Sequence, residues 1–325
     1  MPRRSGSFPL SARSFTLLEV LIAMTIVAGL FVLLARFTGE VTKTWTKGVS
    51  GIERRQNARD FLDFITTDLQ FAAMPRMPMG TNSLASVPTA WIGASVAGSA
   101  MLTRLPLEQF VINPPGVTET SAQAFFFQSP VATDDSGGNL AEVGYCVSWI
   151  AETNGNAVSH TGLLRRLLVN TTSPQYLLPA QTNWITDAVI ASAAPADVKS
   201  SYQGRFAEDV YALWARALDA YGNPIVADAT GKSLEGYAYD SRLGYTDSSG
   251  GLHPPGSLPA MVEVAIVAGD AALSRTLAQA YPAQASRGTA KQFWSDISGY
   301  VATLPTPVQN KIHIYSTRIA LLNAR

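Results

Sequence analysis

The sequence predicts an α+β chain, in which a long N-terminal helix that crosses a membrane in its first half is followed by a β-rich globular domain. Three observations lead there. An apolar stretch runs from Phe15 to Ala35, broken only by Thr16, Glu19, Thr25 and Gly29. Apolar residues then recur at helical spacing as far as Pro75. Beyond Pro75 the texture changes to short apolar or alternating runs between clusters of Gly, Pro, Ser and Asn, the pattern of strands and turns.

The first element is a basic leader, residues 1–14, with Arg3, Arg4 and Arg13 and no acid. Residues 15–37 read as the transmembrane helix. At 1.5 Å per residue, Phe15 to Ala35 spans roughly 31 Å, about one hydrocarbon core. Basic residues stay on the cytoplasmic side, which places the N-terminus inside and the bulk of the chain outside. A secretory signal peptide would have a shorter apolar core and a small-residue cleavage site after it. Here Arg36-Phe37-Thr38-Gly39-Glu40 follows, so the segment reads as a retained anchor.

Residues 38–74 are expected to carry the helix beyond the membrane. Val41, Trp45, Ile52, Phe61, Leu62, Ile65 and Leu69 lie near helical spacing, and Arg59 and Asp63 stand at i, i+4. Gly39, Gly48 and Gly51 weaken the middle and predict a bend, and Pro75 and Pro78 end it. The second half is expected to pack on its own domain.

Residues 75–325 form the β-rich domain. Strands are expected at 124–128, 142–150, 163–169, 261–267 and 311–322, with Asp134 to Asn139 turning the first hairpin. Helices are expected at 271–280 and 290–302, and a long Gly-, Ser- and Pro-rich loop at 240–259. Residues 206–218 are ambiguous, because Phe206, Val210, Leu213, Trp214, Ala217 and Leu218 suit a helix by periodicity.

Composition sets the limits on function. Of 325 residues, 47% are hydrophobic and 15% charged, enough apolar material for a core and too much for a disordered chain. Lys plus Arg and Asp plus Glu both number 24, which leaves no basic excess for nucleic acid. The single cysteine, Cys146, forms no internal disulfide and sits in an apolar run, where a core thiol is expected. His160 and His253, in loop-like stretches, and His313, in a predicted strand, have no metal-ligand spacing. No nucleophile elbow, dinucleotide fingerprint or phosphate loop is present, so no cofactor is expected and an enzyme is not the reading. Asp134-Asp135 with Asn139, and Asp240 with Asp247, match no calcium loop. The six tryptophans are scattered and read as packing residues.

Glu19 is the anomaly, since a carboxylate at the centre of a bilayer helix costs about 2.5–3.5 kcal/mol on insertion scales. Its context is Ser14 to Glu19, SFTLLE, continuing VLIAM. This resembles the prepilin N-terminal cleavage and methylation motif, in which a small residue precedes Phe and Glu is fifth after the cut. The resemblance implies cleavage between Ser14 and Phe15 by a prepilin peptidase, N-methylation of Phe15, and a subunit-assembly role for Glu19 against the new amine of a neighbour. Ser14 departs from the Gly that the family favours. Removal of the leader takes three Arg and no acid, so the mature chain tips to net acidic.

Further along, Glu142-Val143-Gly144-Tyr145 with Leu164-Arg165-Arg166, and Leu258-Pro259 leading into Val262-Glu263-Val264, resemble strands of the type II secretion minor pseudopilin J family. Glu208 to Gly222 resembles a segment of that family in which a strand ends in an Asp-x-x-Gly turn, which implies a strand from about Val210 to Asp219. The ending His313 to Arg325 resembles the Verru_Chthon cassette protein C family. The resemblance implies a pilin-like domain and a minor pseudopilin of a type II secretion-like pseudopilus. Such a subunit is expected in a bacterial inner membrane with its C-terminal domain periplasmic, alongside other pilin-like subunits and an inner-membrane assembly platform. A minor pilin of a type IV adhesion or DNA-uptake pilus is the alternative, and a single-pass membrane enzyme the remote one.

Overall fold

The computed structural model describes residues 17–73, 110–114, 124–131, 140–154, 157–169, 185, 203–269, 273, 277, 279–282 and 290–324. The chain divides into two compact units, Met1–Glu53 and Arg54–Arg325. Ser14, Phe15, Trp91, Trp184 and the turn at 134–139 lie outside the described residues, as does most of the helix expected at 271–280.

In the first unit the described residues are the leading part of α1 (Leu17–Gln70). The helix continues without interruption through Gly39, Gly48 and Gly51, so the expected weakening does not break its hydrogen bonding. A helix retains its ladder through isolated glycines because each costs only about 1 kcal/mol.

In the second unit the end of α1 buries Ala58, Leu62, Ile65 and Leu69 in the main core, with Phe61 partly buried beside them. This i, i+4, i+7, i+11 stripe is the amphipathic face the spacing predicts. Arg59 and Asp63 face solvent and do not close into the ion pair their spacing allows, and such exposed pairs hold little energy.

Six strands follow in one antiparallel sheet: β1 (Val111–Ile112), β2 (Ala124–Ser129), β3 (Ala141–Asn154), β4 (Ala157–Val169), β5 (Gln203–Glu208) and β7 (Tyr239–Asp240), in the order β5-β4-β3-β2-β1-β7. β3 and β4 form a hairpin paired from Glu142↔Val169 to Asn154↔Ala157, longer at its tip than the sequence suggests, so His160 lies in a strand and not a loop. β2 is buried along its whole length. Phe125 and Phe127 enter the main core beside Tyr145, and Phe126 points to the opposite face with Cys146, Leu167 and Ile185. Each such ring contributes about 1.5–3 kcal/mol on burial. Burial pushes the Cys146 thiol up to about 11, so it behaves as a core hydrophobe.

β6 (Val210–Leu218), β10 (Met261–Ala268) and β11 (His313–Ala320) make a second sheet, ordered β11-β10-β6. The stretch whose periodicity suits a helix is thus a strand, Val210–Leu218, as expected from about Val210 to Asp219. All nine residues of β6 are buried, because the sheet is covered on both faces. Leu213, Ala215 and Ala217 join the main core, while Ala212 and Trp214 face a second cluster with α2 (Phe293–Thr303). A strand apolar on both sides loses its alternation and mimics a helical period. A bulge opposite Val267 and Ala268 turns Tyr211 to the same side as Ala212. β4 approaches β6 so closely that a Cβ on Gly162 would lie 2.4 Å from the Val210 carbonyl oxygen.

α2 presents Phe293, Ile297 and Tyr300 to that cluster, one turn apart, and is preceded by a 3-10 turn at Ala290–Gln292. A short helix α3 (Thr306–Gln309) leads into β11. Trp149 and Trp214 pack as expected, whereas Trp45 is 72% exposed and Trp294 41%.

Residues 219–256, which take in most of the loop expected at 240–259, are chiefly turns. They contain the hairpin β8 (Tyr245–Thr246) and β9 (Leu252–His253) and a turn used three times. Asp219, Asp228 and Asp247 each begin a five-residue D-x-x-G-x segment. In each, one carboxylate oxygen accepts the amides two and four residues on, at 2.7–3.0 Å. The glycine adopts φ of +80°, +81° or +85°, which a side chain resists.

Hydrogen bonds from Ser249, His253 and Gly251 draw the Asp247 carboxyl down from 3.8 to about 2. A depressed folded-state value means stability that is whole above the unfolded value and lost as the pH falls. The turn is therefore expected to hold at pH 4 and to loosen between pH 4 and 2. The Asp247 carboxyl carbon should titrate in NMR with a midpoint near 2, and a midpoint at 3.8 would show that the turn bonds do not hold it.

Candidate functional site

The head of α1, Leu17–Thr42, is long and apolar enough to cross a membrane. All of these residues are exposed. Leu17 is 84% exposed, and Phe31, Leu33 and Phe37 are each 66–67% exposed. Such a continuous apolar surface is unstable in water and needs lipid or other helices around it.

The threonines on this helix bond their hydroxyls to the helix's own carbonyls. Thr25 donates its hydroxyl to the Ile22 carbonyl at 2.8 Å, Thr38 to Leu34 at 2.7 Å and Thr42 to Thr38 at 2.8 Å. Each threonine thus carries no unpaired donor into an apolar medium. Glu19 is the third residue of the described part of this helix. Its neighbours along the exposed face are Val20, Ala23, Met24 and Val27.

Where α1 ends, a buried ionic cluster ties it to the six-stranded sheet. Asp68, on the buried side of the helix, accepts the Tyr145 hydroxyl at 2.6 Å, Arg166 Nε at 2.7 Å and Arg166 Nη2 at 3.2 Å. The guanidinium also lies over the Phe64 ring, 5.0 Å from its centroid. Burial, then the Asp68 carboxylate, pushes the Tyr145 hydroxyl well above its ordinary value, so it remains a donor. Around this pin, Ala73 donates its amide to Gln128, Leu322 donates its amide to Gln70, and the Asn323 side chain donates to the Ala72 carbonyl. The last residues of the chain therefore clamp the end of the helix.

Of the residues singled out by sequence, the structure places Glu19; Ser14 and Phe15 lie outside the described residues. The sequence reading missed Asp68, Tyr145 and Arg166 as a unit. One signal was present: Asp68 falls between Ile65 and Leu69 on the apolar stripe, where a carboxylate requires a partner.

Two further polar clusters hold turns. Asp240 is held by the Arg242 guanidinium. His253 bonds Asp247 at 3.1 Å and stacks on Tyr245 with centroids 4.1 Å apart. Among the described residues, no three His, Cys, Asp or Glu side chains gather as metal ligands. In comparisons with known proteins, no family model matches the chain, and neither a curated protein nor a solved structure is similar to it.

Proposed function

We propose that this chain is a minor pseudopilin-like structural subunit of a type II secretion-like pseudopilus, with no catalytic role of its own. A prepilin peptidase cuts between Ser14 and Phe15, Phe15 is N-methylated, and the helix from Phe15 onward stays in the bacterial inner membrane. The N-terminus is cytoplasmic and the domain periplasmic. Within the assembly, the helix bundles with those of other pilin-like subunits above an inner-membrane assembly platform.

The observation that carries this reading is the SFTLLE segment of the sequence, followed by a helix that is apolar and exposed over Leu17–Thr42 and continuous to Gln70. A soluble protein would bury such a surface. A simple anchor would not require an acid within it, and that acid is expensive unless a cation meets it. Trp45, just past Thr42 and exposed, suits the aromatic belt of a membrane interface.

Co-expression with a prepilin peptidase tests the reading. Mass spectrometry of the purified protein is expected to find an N-terminus at Phe15 carrying one methyl group. A chain that keeps residues 1–14 in the presence of an active peptidase rejects it. Loss of exoprotein secretion in a deletion strain, with surface adhesion and DNA uptake intact, separates a secretion pseudopilus from a pilus.

A further inference from the structure

β11 closes one side of the second sheet and, among the described residues, pairs only with β10. Its eight positions pair in unbroken register, Met261↔Ala320 through Ala268↔His313. The Leu321 amide donates to the Ala260 carbonyl at 3.1 Å, which continues that register and sets its phase. In an antiparallel ladder the amides and carbonyls of Ile319, Thr317, Tyr315 and His313 then face β10, and those of Ile314, Ser316, Arg318 and Ala320 face away. Among the described residues nothing bonds to these four outward sets of groups.

The other ends of the two sheets are protected. The outer side of β6 is taken by the Ile225 amide, which donates to Ala217, and by the bridge from Leu218 to Pro224. β7 is two residues long, and the pairing of β5 shifts at Leu164 and Arg165. β11 has no proline, no lysine and no bulge, and the charge it carries is Arg318.

Its side chains indicate what would fit. Ile314, Ser316, Arg318 and Ala320 are all exposed, on one face. Glu263 accepts Arg216 Nε at 2.6 Å and Arg318 Nε at 3.0 Å, so one carboxylate serves two guanidiniums and one positive charge is left over. That surplus reaches solvent through Arg318, whose side chain is 55% exposed. β10 already displays a complement to this face, with Glu263 opposite Arg318, Ala265 opposite Ser316 and Val267 opposite Ile314.

We propose that the free edge of β11 is a docking site for an extended segment of another polypeptide, paired antiparallel and carrying a carboxylate opposite Arg318 and an aliphatic side chain opposite Ile314. The segment repeats the acid-x-small-x-aliphatic alternation of β10 and neutralises the surplus charge. Its backbone takes up the four unused positions. The inference rests on β11 alone and does not depend on the filament reading.

The test uses the full chain in detergent micelles and a short capped peptide with Glu-Thr-Ala-Thr-Val at its centre. Amide hydrogen exchange is expected to show protection of Ile314, Ser316, Arg318 and Ala320 on peptide binding. Replacing the peptide's Glu with Lys should weaken binding by about tenfold, and on Arg318→Ala the two peptides should bind alike. Ser316→Pro deletes an outward N–H without touching the β10 ladder and should abolish binding. If that variant fails to fold, the Arg318→Ala comparison decides alone. Equal affinity of the Glu and Lys peptides for the native chain would overturn the proposal. So would protection of the four amides that grows with protein concentration and needs no peptide, since the edge would then serve a second copy.

Discussion

Replacing Asp68 with alanine is expected to cost the domain about 3–5 kcal/mol, the range for breaking a buried ion pair from one side. The carboxylate is buried and serves two partners that keep their polar groups when it goes. Arg166 would be left with its guanidinium largely out of water, 16% exposed and resting on Phe64. The Tyr145 hydroxyl would lose its acceptor in a fully buried position, by itself about 1–3 kcal/mol. Denaturant unfolding of the full chain in micelles, followed by tryptophan fluorescence, measures the loss. Asp68→Asn should fall between, since it keeps an acceptor for Tyr145 and gives up the charge. Adding Arg166→Met and Tyr145→Phe to Asp68→Ala should restore much of the loss, because no uncompensated polar group remains. A single-variant loss under about 1 kcal/mol would mean that water or another acceptor takes the place of the carboxylate.

The second large effect is expected at Glu19. Glu19→Ala should leave membrane insertion intact, since it only makes the span more apolar, yet reduce incorporation into filaments by about tenfold or more, equivalent to at least about 1.4 kcal/mol. Two unit charges at 4 Å and an effective dielectric of 20 attract by about 4 kcal/mol, close to the cost of placing the carboxylate in the helix. The pair of Glu19 with a neighbour's Phe15 amine would thus add little net stability and much selection of register. Glu19→Gln separates the two contributions. It keeps the size and hydrogen-bonding capacity, so incorporation as poor as that of Glu19→Ala identifies the charge as the requirement. Sheared filaments compared with membrane fractions on an immunoblot give the ratio. Incorporation equal to the native chain would remove the assembly role from Glu19.

The elements most legible in sequence are those governed by local properties. The apolar helix, the strands at β2, β3, β10 and β11, and α2 all stand where runs, alternation or periodicity put them. Their ends moved where tertiary pairing extended them, as at the tip of the β3-β4 hairpin. β6 was misleading by periodicity because burial on both faces hides the alternation that marks a half-exposed strand. The region 240–259 read as loop because its strands are two residues long and its order comes from carboxylates bonding to their own turns, which hydropathy does not register. Only part of the candidate site was visible in advance: Glu19 was conspicuous as an acid among apolar residues, whereas Arg166 looked like one more charge on a strand.

By itself the sequence determined that a helix apolar enough to cross a membrane precedes a β-rich domain, and that an acid stands near its head. Both follow from side-chain chemistry summed over neighbours in the chain. Only the tertiary structure decided that Asp68 meets Tyr145 and Arg166, that β6 lies sandwiched between two cores, and that β11 has an edge open among the described residues. Those outcomes depend on which residues come together across sheets from positions far apart in the chain: Arg166 bonds a residue 98 positions away. A partner at that separation is selected by strand register and packing, which are properties of the whole fold and of no local segment.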